Sequence, residues 1–294
     1  MNFELKNFTI DERKIFREYA TLRPIYTAEG QFVNQLIWSN FYKTHFCYDD
    51  TFMMLTMGKY EDSPFMPLCR KEDIKTVFTK VKEHWNTVLG KRLTMYLVDQ
   101  VFLDELMTIP SFTEEFKIVE ARDTFDYIYD AEKLKTLSGR AYHKKKNHLN
   151  SFLKNFDGRF LYRSLDCSDM QEIAAFHKTW LADRVYEDKN GSIDSEEAGI
   201  SIVFQNCGLV NCKFGGVYID GKLEAYSIGS YSPQLKSAFI HIEKANVSIP
   251  GLYNYINQQF LLNTFPEAEI VNREDDLGQE GLRKAKIGEY LGEG

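Results

Sequence analysis

Apolar positions along this chain follow helical spacing in some segments and strand-like runs in others, and the two alternate. Over 71–89, Ile74, Val77, Phe78, Val81 and Trp85 recur at helical intervals and predict one buried helix face. Around it the pattern predicts a helix over about 11–20, the aromatic stretch FVNQLIWSNFYKTHFCYDD, a strand TFMMLTMG, a turn EDSPFMPL and a strand LTMYLVD over 93–99. No low-complexity stretch breaks the chain, and a boundary is placed near 130, after FDYIYD, giving lobes 1–130 and 131–294.

The second lobe reads as helices over about 131–155 and 168–183, an acidic loop over 187–197, then the strands KFGGVYI and KLEAYSIGSYS joined by Asp220-Gly221, a strong hairpin signal. A third strand SAFIHIEKAN, the break SIPG, a helix LYNYINQQFLLNTF, a strand AEIVNRED and a last helix over about 277–287 follow. Strand, helix, strand at that length fits a parallel crossover. The expected class is α/β (α+β), with mixed sheets flanked by helices in an acetyltransferase-like order.

Composition bounds what such a scaffold does. In 294 residues, 44% of them hydrophobic and 14% aromatic, there is ample material for a large core. The net charge of -7 opposes a surface that coats nucleic acid or anionic membrane all over, though a local basic patch is compatible with it. The start MNFELKNFTIDERK lacks signal-peptide order and no apolar run nears the roughly 20 residues that span a bilayer, so a cytoplasmic location is expected. Five cysteines without a CxxC pair suggest neither a disulfide framework nor a zinc site, and most are expected to be buried, reduced thiols. The six histidines show no metal-ligand spacing, and no metal is expected. Walker A, GxGxxG, GxSxG and HExxH motifs are absent, which removes support for nucleotide hydrolysis, dinucleotide redox chemistry, serine hydrolysis and zincin proteolysis.

Three segments carry candidate chemistry. GRAYHKKKNHLNSFLKNFDGRFLYR, 139–163, holds seven Lys/Arg residues against one Asp. Arg140, Lys144, Lys145 and Lys146 suit phosphate oxygens, and the same run also reads as a solvated helix face. In HIEKAN, strand alternation puts His241, Glu243 and Ala245 on one face, where the carboxylate and imidazole suit an amine nucleophile; a surface ion pair is the alternative. NREDDLGQEGLRKAK, 272–286, gathers Asn272, Arg273, Glu274, Asp275 and Asp276 at a strand's carboxyl end, where α/β folds place ligands. One of the two aspartates is expected to cap the last helix. Arg283 and Lys286, three apart, share a helix face.

With the FVNQLIW region, DYIYDAEKLKTLSGRAYHKKKNHLNSF, HIEKAN and GLYNYINQQF, that last block makes the chain resemble the phosphatidylglycerol lysyltransferase C-terminal domain family, without its membrane-spanning half. The resemblance implies two acetyltransferase-like lobes and transfer of an aminoacyl group from charged tRNA to an amine or hydroxyl acceptor, a small molecule or lipid head group. It implies that Arg140, Lys144, Lys145 and Lys146 hold tRNA phosphates and that Glu243, Asn272, Glu274 and Asp275, with Arg273, line the transfer centre. Arg283 and Lys286 then bind the donor's terminal nucleotide or an acidic head group, and Tyr253 and Asn254 are further substrate-binding residues.

Coenzyme A thioester is the alternative donor, but the turn ANVSIPGLYNY offers one glycine and a proline without an N–H for its pyrophosphate. A non-catalytic RNA- or anion-binding protein on the same fold is a third reading. The end IGEYLGEG lacks the terminal strand with which such folds usually continue.

Overall fold

The computed structural model describes residues 3–182 and 192–287, so part of the expected acidic loop and the terminal IGEYLGEG, from residue 288 on, lie outside the described residues. The chain divides into two compact units, Met1–Ala121 with Asp188–Val203 and Arg122–Glu187 with Phe204–Gly294.

In the first unit an antiparallel sheet of β1 (Lys6–Asn7), β2 (Thr44–Tyr48), β3 (Phe52–Met57), β4 (Ser63–Pro64) and β5 (Leu68–Cys69) carries the core. Every residue of β3 is buried. The aromatic stretch resolves into a helix Phe32–Tyr42 and β2, with Lys43 in a left-handed conformation between them. Ile74, Val77, Phe78, Val81 and Trp85 are all buried, as their spacing predicts. The expected strand 93–99 does not form; only Tyr96 bridges Phe65. Its end is committed elsewhere: Asp99 accepts the Phe102 N–H at 2.8 Å to start the helix Gln100–Met107 and takes buried Arg23 at 2.6 Å. The helix Ser192–Gln205 starts inside the span expected to be an acidic loop.

The second unit is a six-stranded sheet in the order β6-β11-β10-β9-β8-β7, made of β6 (Ile128–Asp130), β7 (Phe160–Leu165), β8 (Lys213–Ile219), β9 (Lys222–Ser232), β10 (Ser237–Ala245) and β11 (Ile270–Asn272). Only β10 and β11 run parallel, joined by the helix Leu252–Thr264, and the remaining neighbours are antiparallel. Asp220 and Gly221 both take positive φ, the conformation that closes the β8–β9 hairpin with the sheet's own twist. Two sheets flanked by helices give the mixed α/β class expected from the element order.

One face of the second sheet packs against Leu252–Thr264, which in turn carries the helix His143–Asn155. The helix Met170–Ala182 packs on β9 and β10, burying Met170, Ile173, His177 and Trp180 at 3-4-3 spacing. The single helix expected over 131–155 is two, Ala131–Thr136 and His143–Asn155. Leu137 and Gly139 at positive φ break it, and Arg140 therefore stands on the turn before the basic helix rather than on it. The edge strand β7 was hidden within the basic segment, whose charge masks its alternation.

Cys167 and Cys207 form a disulfide, with Cα atoms 5.6 Å apart, which corrects the expectation that the cysteines form no disulfide framework. Forty residues of separation hide such a pair from spacing rules. Cys47, Cys69 and Cys212 are free, and burial pushes each thiol up to about 12. Closing a loop of this size is worth about 2–4 kcal/mol. The C167S/C207S variant is accordingly expected to be less stable by that amount in urea unfolding, with a somewhat larger m-value because its unfolded chain is less constrained. Among the described residues no helix is long and apolar enough to cross a membrane.

Candidate functional site

The β10–β11 ladder is short, pairing Ser237–Phe239 with Ile270–Asn272, and beyond it the carboxyl ends of both strands carry charged side chains. Two local distortions aim them. β10 bulges between Ile240 and Ile242, so that His241 is an extra residue in the strand, and Glu274, just past β11, adopts φ 58°.

The bulge changes which residues share a face. The position of a Cβ on Gly229 would meet Phe260 and Phe265 at 3.0 Å, so Gly229 looks toward Leu252–Thr264 and its neighbour Ser230 looks away. His241 joins Ser230, with Nε2 2.8 Å from Oγ, whereas Glu243 receives an Asn257 amide hydrogen bond from Leu252–Thr264 at 3.0 Å. The expected pairing of His241 with Glu243 on one face is therefore corrected: strict alternation fails because a bulge inserts one residue. The carboxylate that meets the imidazole is Glu274, with Oε1 2.7 Å from Nδ1. A carboxylate only accepts, so Nδ1 carries a proton toward Glu274. Ser230 and His241 are both buried.

On the opposite face Arg273 donates to Glu243 at 2.9 Å. Both groups are largely buried, at 15% and 8% side-chain exposure, so each charge needs the other. Lys145 completes this cluster. Tyr142, Lys145, Leu149 and Phe152 follow 3-4-3 spacing, and Tyr142, Leu149 and Phe152 are buried, which draws Lys145 inward while Lys144 and Lys146 stay exposed. Burial pushes the Lys145 ammonium down to about 7, Arg273 adds to that and Glu243 opposes it.

The loop 272–278 is held by its own polar groups. Asn272 donates to Asp126 at 2.7 Å and accepts the Glu274 N–H at 2.6 Å. Asp275 and Asp276 accept the N–H groups of Leu277 and Gly278, two residues on, folding the turn that precedes the helix Glu280–Ile287. The expectation that one of them caps this helix gives way to that pair of Asx turns, because the chain needs three more residues before Glu280.

Fully buried Asp276 also takes Arg283 through two bonds, at 2.8 and 2.9 Å, and the Tyr127 hydroxyl at 2.6 Å. The Arg283 bonds hold the Asp276 carboxyl well below the usual range. Lys286 donates to the carbonyls of Arg273 at 2.6 Å, of Glu274 at 3.3 Å and of Asp275. Burial, followed by Arg273, lowers its ammonium; burial, followed by Glu274, raises Asp275.

The candidate residues thus fall into three places. Glu243, Arg273 and Lys145 form one cluster, Glu274 belongs to the His241 chain, and Asn272, Asp275, Arg283 and Lys286 maintain the loop that presents Arg273 and Glu274. Tyr253 and Asn254 lie half-buried in the first turn of Leu252–Thr264. Arg140, Lys144 and Lys146 are exposed. Ser230, Asn257, Asp126 and Tyr127 were not singled out by sequence; a polar residue at a buried helix position was the available signal for Asn257.

The start of Leu252–Thr264 is tightly covered. A Cβ on Gly251 would stand 2.3 Å from the His148 carbonyl oxygen and 2.9 Å from the Phe152 Cβ, so the basic helix lies against this N-terminus. Gly251 takes φ 85°, which the close approach and the turn both require.

The family described as phosphatidylglycerol lysyltransferase, C-terminal, matches residues 22–287. An uncharacterised protein of Mycoplasmoides gallisepticum is 27% identical over 165 residues, 55% of this chain; the chain spans about half the length of that curated relative, 51%. Among solved structures, a conserved protein of unknown function from Bacteroides thetaiotaomicron superposes with a TM-score of 0.85 at 24% identity, over 99% of this chain and 96% of its own. L-PGS from Bacillus licheniformis does so with a TM-score of 0.60 at 11% identity, over 94% and 87%.

Proposed function

The chain belongs to the phosphatidylglycerol lysyltransferase C-terminal family, and from that premise we propose that it transfers an aminoacyl group from charged tRNA to an amine or hydroxyl acceptor. The observation that carries this reading is the Lys145–Arg273–Glu243 cluster at the carboxyl ends of β10 and β11. Aminolysis of an ester needs an orienting cation and a proton acceptor that is neutral near pH 7. Lys145, its ammonium pushed down to about 7, supplies the acceptor. Arg273 faces the developing oxyanion, and Glu243, both oxygens engaged, positions Arg273. The acceptor nitrogen or oxygen bonds to the acyl carbon, the bond to the ribose oxygen breaks, and the proton removed by Lys145 passes to the leaving ribose hydroxyl.

The covered start of Leu252–Thr264 favours this donor over a coenzyme A thioester. A helix N-terminus attracts anions through its free N–H groups. Here the His148 carbonyl oxygen already lies against it.

The test is single-turnover transfer from a panel of charged tRNAs to amine and hydroxyl acceptors, with calorimetry against acetyl-CoA alongside. Transfer without saturable micromolar acetyl-CoA binding is expected. Tight tRNA binding with no transfer to any acceptor would instead support the non-catalytic reading. The transfer rate is expected to rise with pH through a midpoint near 7, as Lys145 loses its proton, and this limb is expected to vanish in K145M. The sign for stability runs the same way. Lysine takes up protons in the unfolded chain from its ordinary value of 10.5 but in the folded chain only near 7, so falling pH across that window destabilises the parent and not K145M.

Exposed Lys144 and Lys146 make a different contribution. K144A/K146A is expected to weaken tRNA binding uniformly across sequences and to lower the slope of log K against log salt by about 2, one per lysine–phosphate contact. A filter-binding series over salt concentration measures it. An unchanged slope removes these two lysines from the interface.

A further inference from the structure

A cavity of about 540 Å³ opens on the sheet face covered by Met170–Ala182, the face away from Glu243 and Asn257. Phe176, Trp180 and Leu223 provide apolar wall, and Glu224 and Glu172 bring carboxylates to it. The Glu224 carboxylate is only 10% exposed, so it requires a cationic or hydrogen-bonding partner at all times. Asn246 donates to one of its oxygens at 2.8 Å. The other oxygen is served by Lys222 at 2.7 Å, and that lysine is 70% exposed.

This is an unequal pair: a fixed, buried anion and a counter-ion held on a flexible stem in water. Holding a free-moving lysine in one geometry costs side-chain entropy, and an exposed ammonium is readily exchanged. A ligand bringing its own ammonium and an apolar stem would replace the Lys222 ammonium at Glu224 and cover Phe176, Trp180 and Leu223, gaining apolar burial that Lys222 does not supply. The Trp180 ring already sits 4.5 Å from the Lys244 ammonium, so a cation beside this indole is compatible with its surroundings. The second carboxylate, Glu172, accepts from the Tyr218 hydroxyl at 2.6 Å and lies 3.8 Å from Arg163.

We propose that this cavity is a binding site for a primary alkylamine, with Glu224 as its anchor and Lys222 as the built-in counter-ion that the ligand displaces. The proposal does not depend on the transfer reaction, because no residue of the Lys145–Arg273–Glu243 cluster lines the cavity.

Titration of the 15N-labelled protein with n-butylamine at constant ionic strength tests it, read at the indole N–H signal of Trp180 and assigned with W180F. A saturable shift is expected with n-butylamine and none with butyrate or butan-1-ol. E224Q is expected to weaken binding at least 10-fold, and A175W to block it by filling the cavity. K222A is the decisive variant, since a ligand that competes with Lys222 must bind several-fold more tightly once Lys222 is gone. If Lys222 merely stabilises the fold, K222A leaves affinity unchanged or weakens it. Either of those results, or equal shifts with butyrate, overturns the proposal. Should E224Q fail to fold, judged by loss of the dispersed backbone amide signals of β8, β9 and β10, K222A at its exposed position still decides the matter.

Discussion

Glu243→Ala is expected to lower kcat/KM for acyl transfer by at least 100-fold. The substitution removes the Glu243 ion pair of the Arg273 guanidinium and, with it, the Asn257 bridge to Leu252–Thr264. An arginine left buried without its carboxylate is costly, about 3–5 kcal/mol for a broken pair of this kind. Part of that cost is relieved as the guanidinium turns toward water, away from the acyl carbon. A tenfold rate loss corresponds to about 1.4 kcal/mol, so losing most of one oriented cation accounts for two powers of ten. The double variant E243A/R273M separates positioning from folding. Removing both charges is expected to restore much of the stability while leaving transfer as low as in E243A. Recovery of transfer in that variant would mean that Arg273 has no part in the reaction.

Asp276→Asn is expected to produce the largest structural effect. The carboxylate accepts two bonds from Arg283, one from Tyr127 and one from the Gly278 N–H, with its side chain fully buried. An amide of the same shape keeps one acceptor oxygen and turns an NH₂ toward guanidinium donors, leaving a buried clash of donors. Because Arg283 keeps contact with solvent and with Asp123, the low end of the range for a broken buried pair applies, about 3 kcal/mol. Urea unfolding measures the loss, and hydrogen exchange is expected to localise it to 272–287.

The pH dependence has a definite sign. Asp276 titrates lower in the folded than in the unfolded chain, so its contribution is present in full above the ordinary carboxylate value and lost as pH falls through the depressed one. The parent should lose stability in acid over that window, and D276N should lack this component.

Helical and strand periods along the chain were enough to foresee most of the second sheet. The Asp220-Gly221 hairpin, the crossover through LYNYINQQFLLNTF and the polar carboxyl end of β11 all form as local pattern dictates, because each depends on residues close together in sequence. Even the separation of Lys145 from Lys144 and Lys146 was available there, since it shares the 3-4-3 stripe of Tyr142, Leu149 and Phe152. Reading the three lysines as one charge run concealed it.

Strand 93–99 was misread for a physical reason: Asp99 gains more by starting a helix and pairing with Arg23 than Leu97 and Val98 gain from a ladder. Propensity is weak against a buried ion pair.

The acetyltransferase-like element order and the identity of the polar segments were thus determined by the sequence alone, through periodicity and turn chemistry. Which carboxylate meets which cation was decided only in the tertiary structure. Glu274 reaches His241 across 33 residues, Arg273 reaches Glu243 across 30, and Cys167 reaches Cys207 across 40. A single bulge at His241 sends the imidazole to one face of the sheet and Glu243 to the other. Such a one-residue shift inverts every side chain beyond it, and the pairing of neighbouring strands, which no local pattern encodes, sets where it falls.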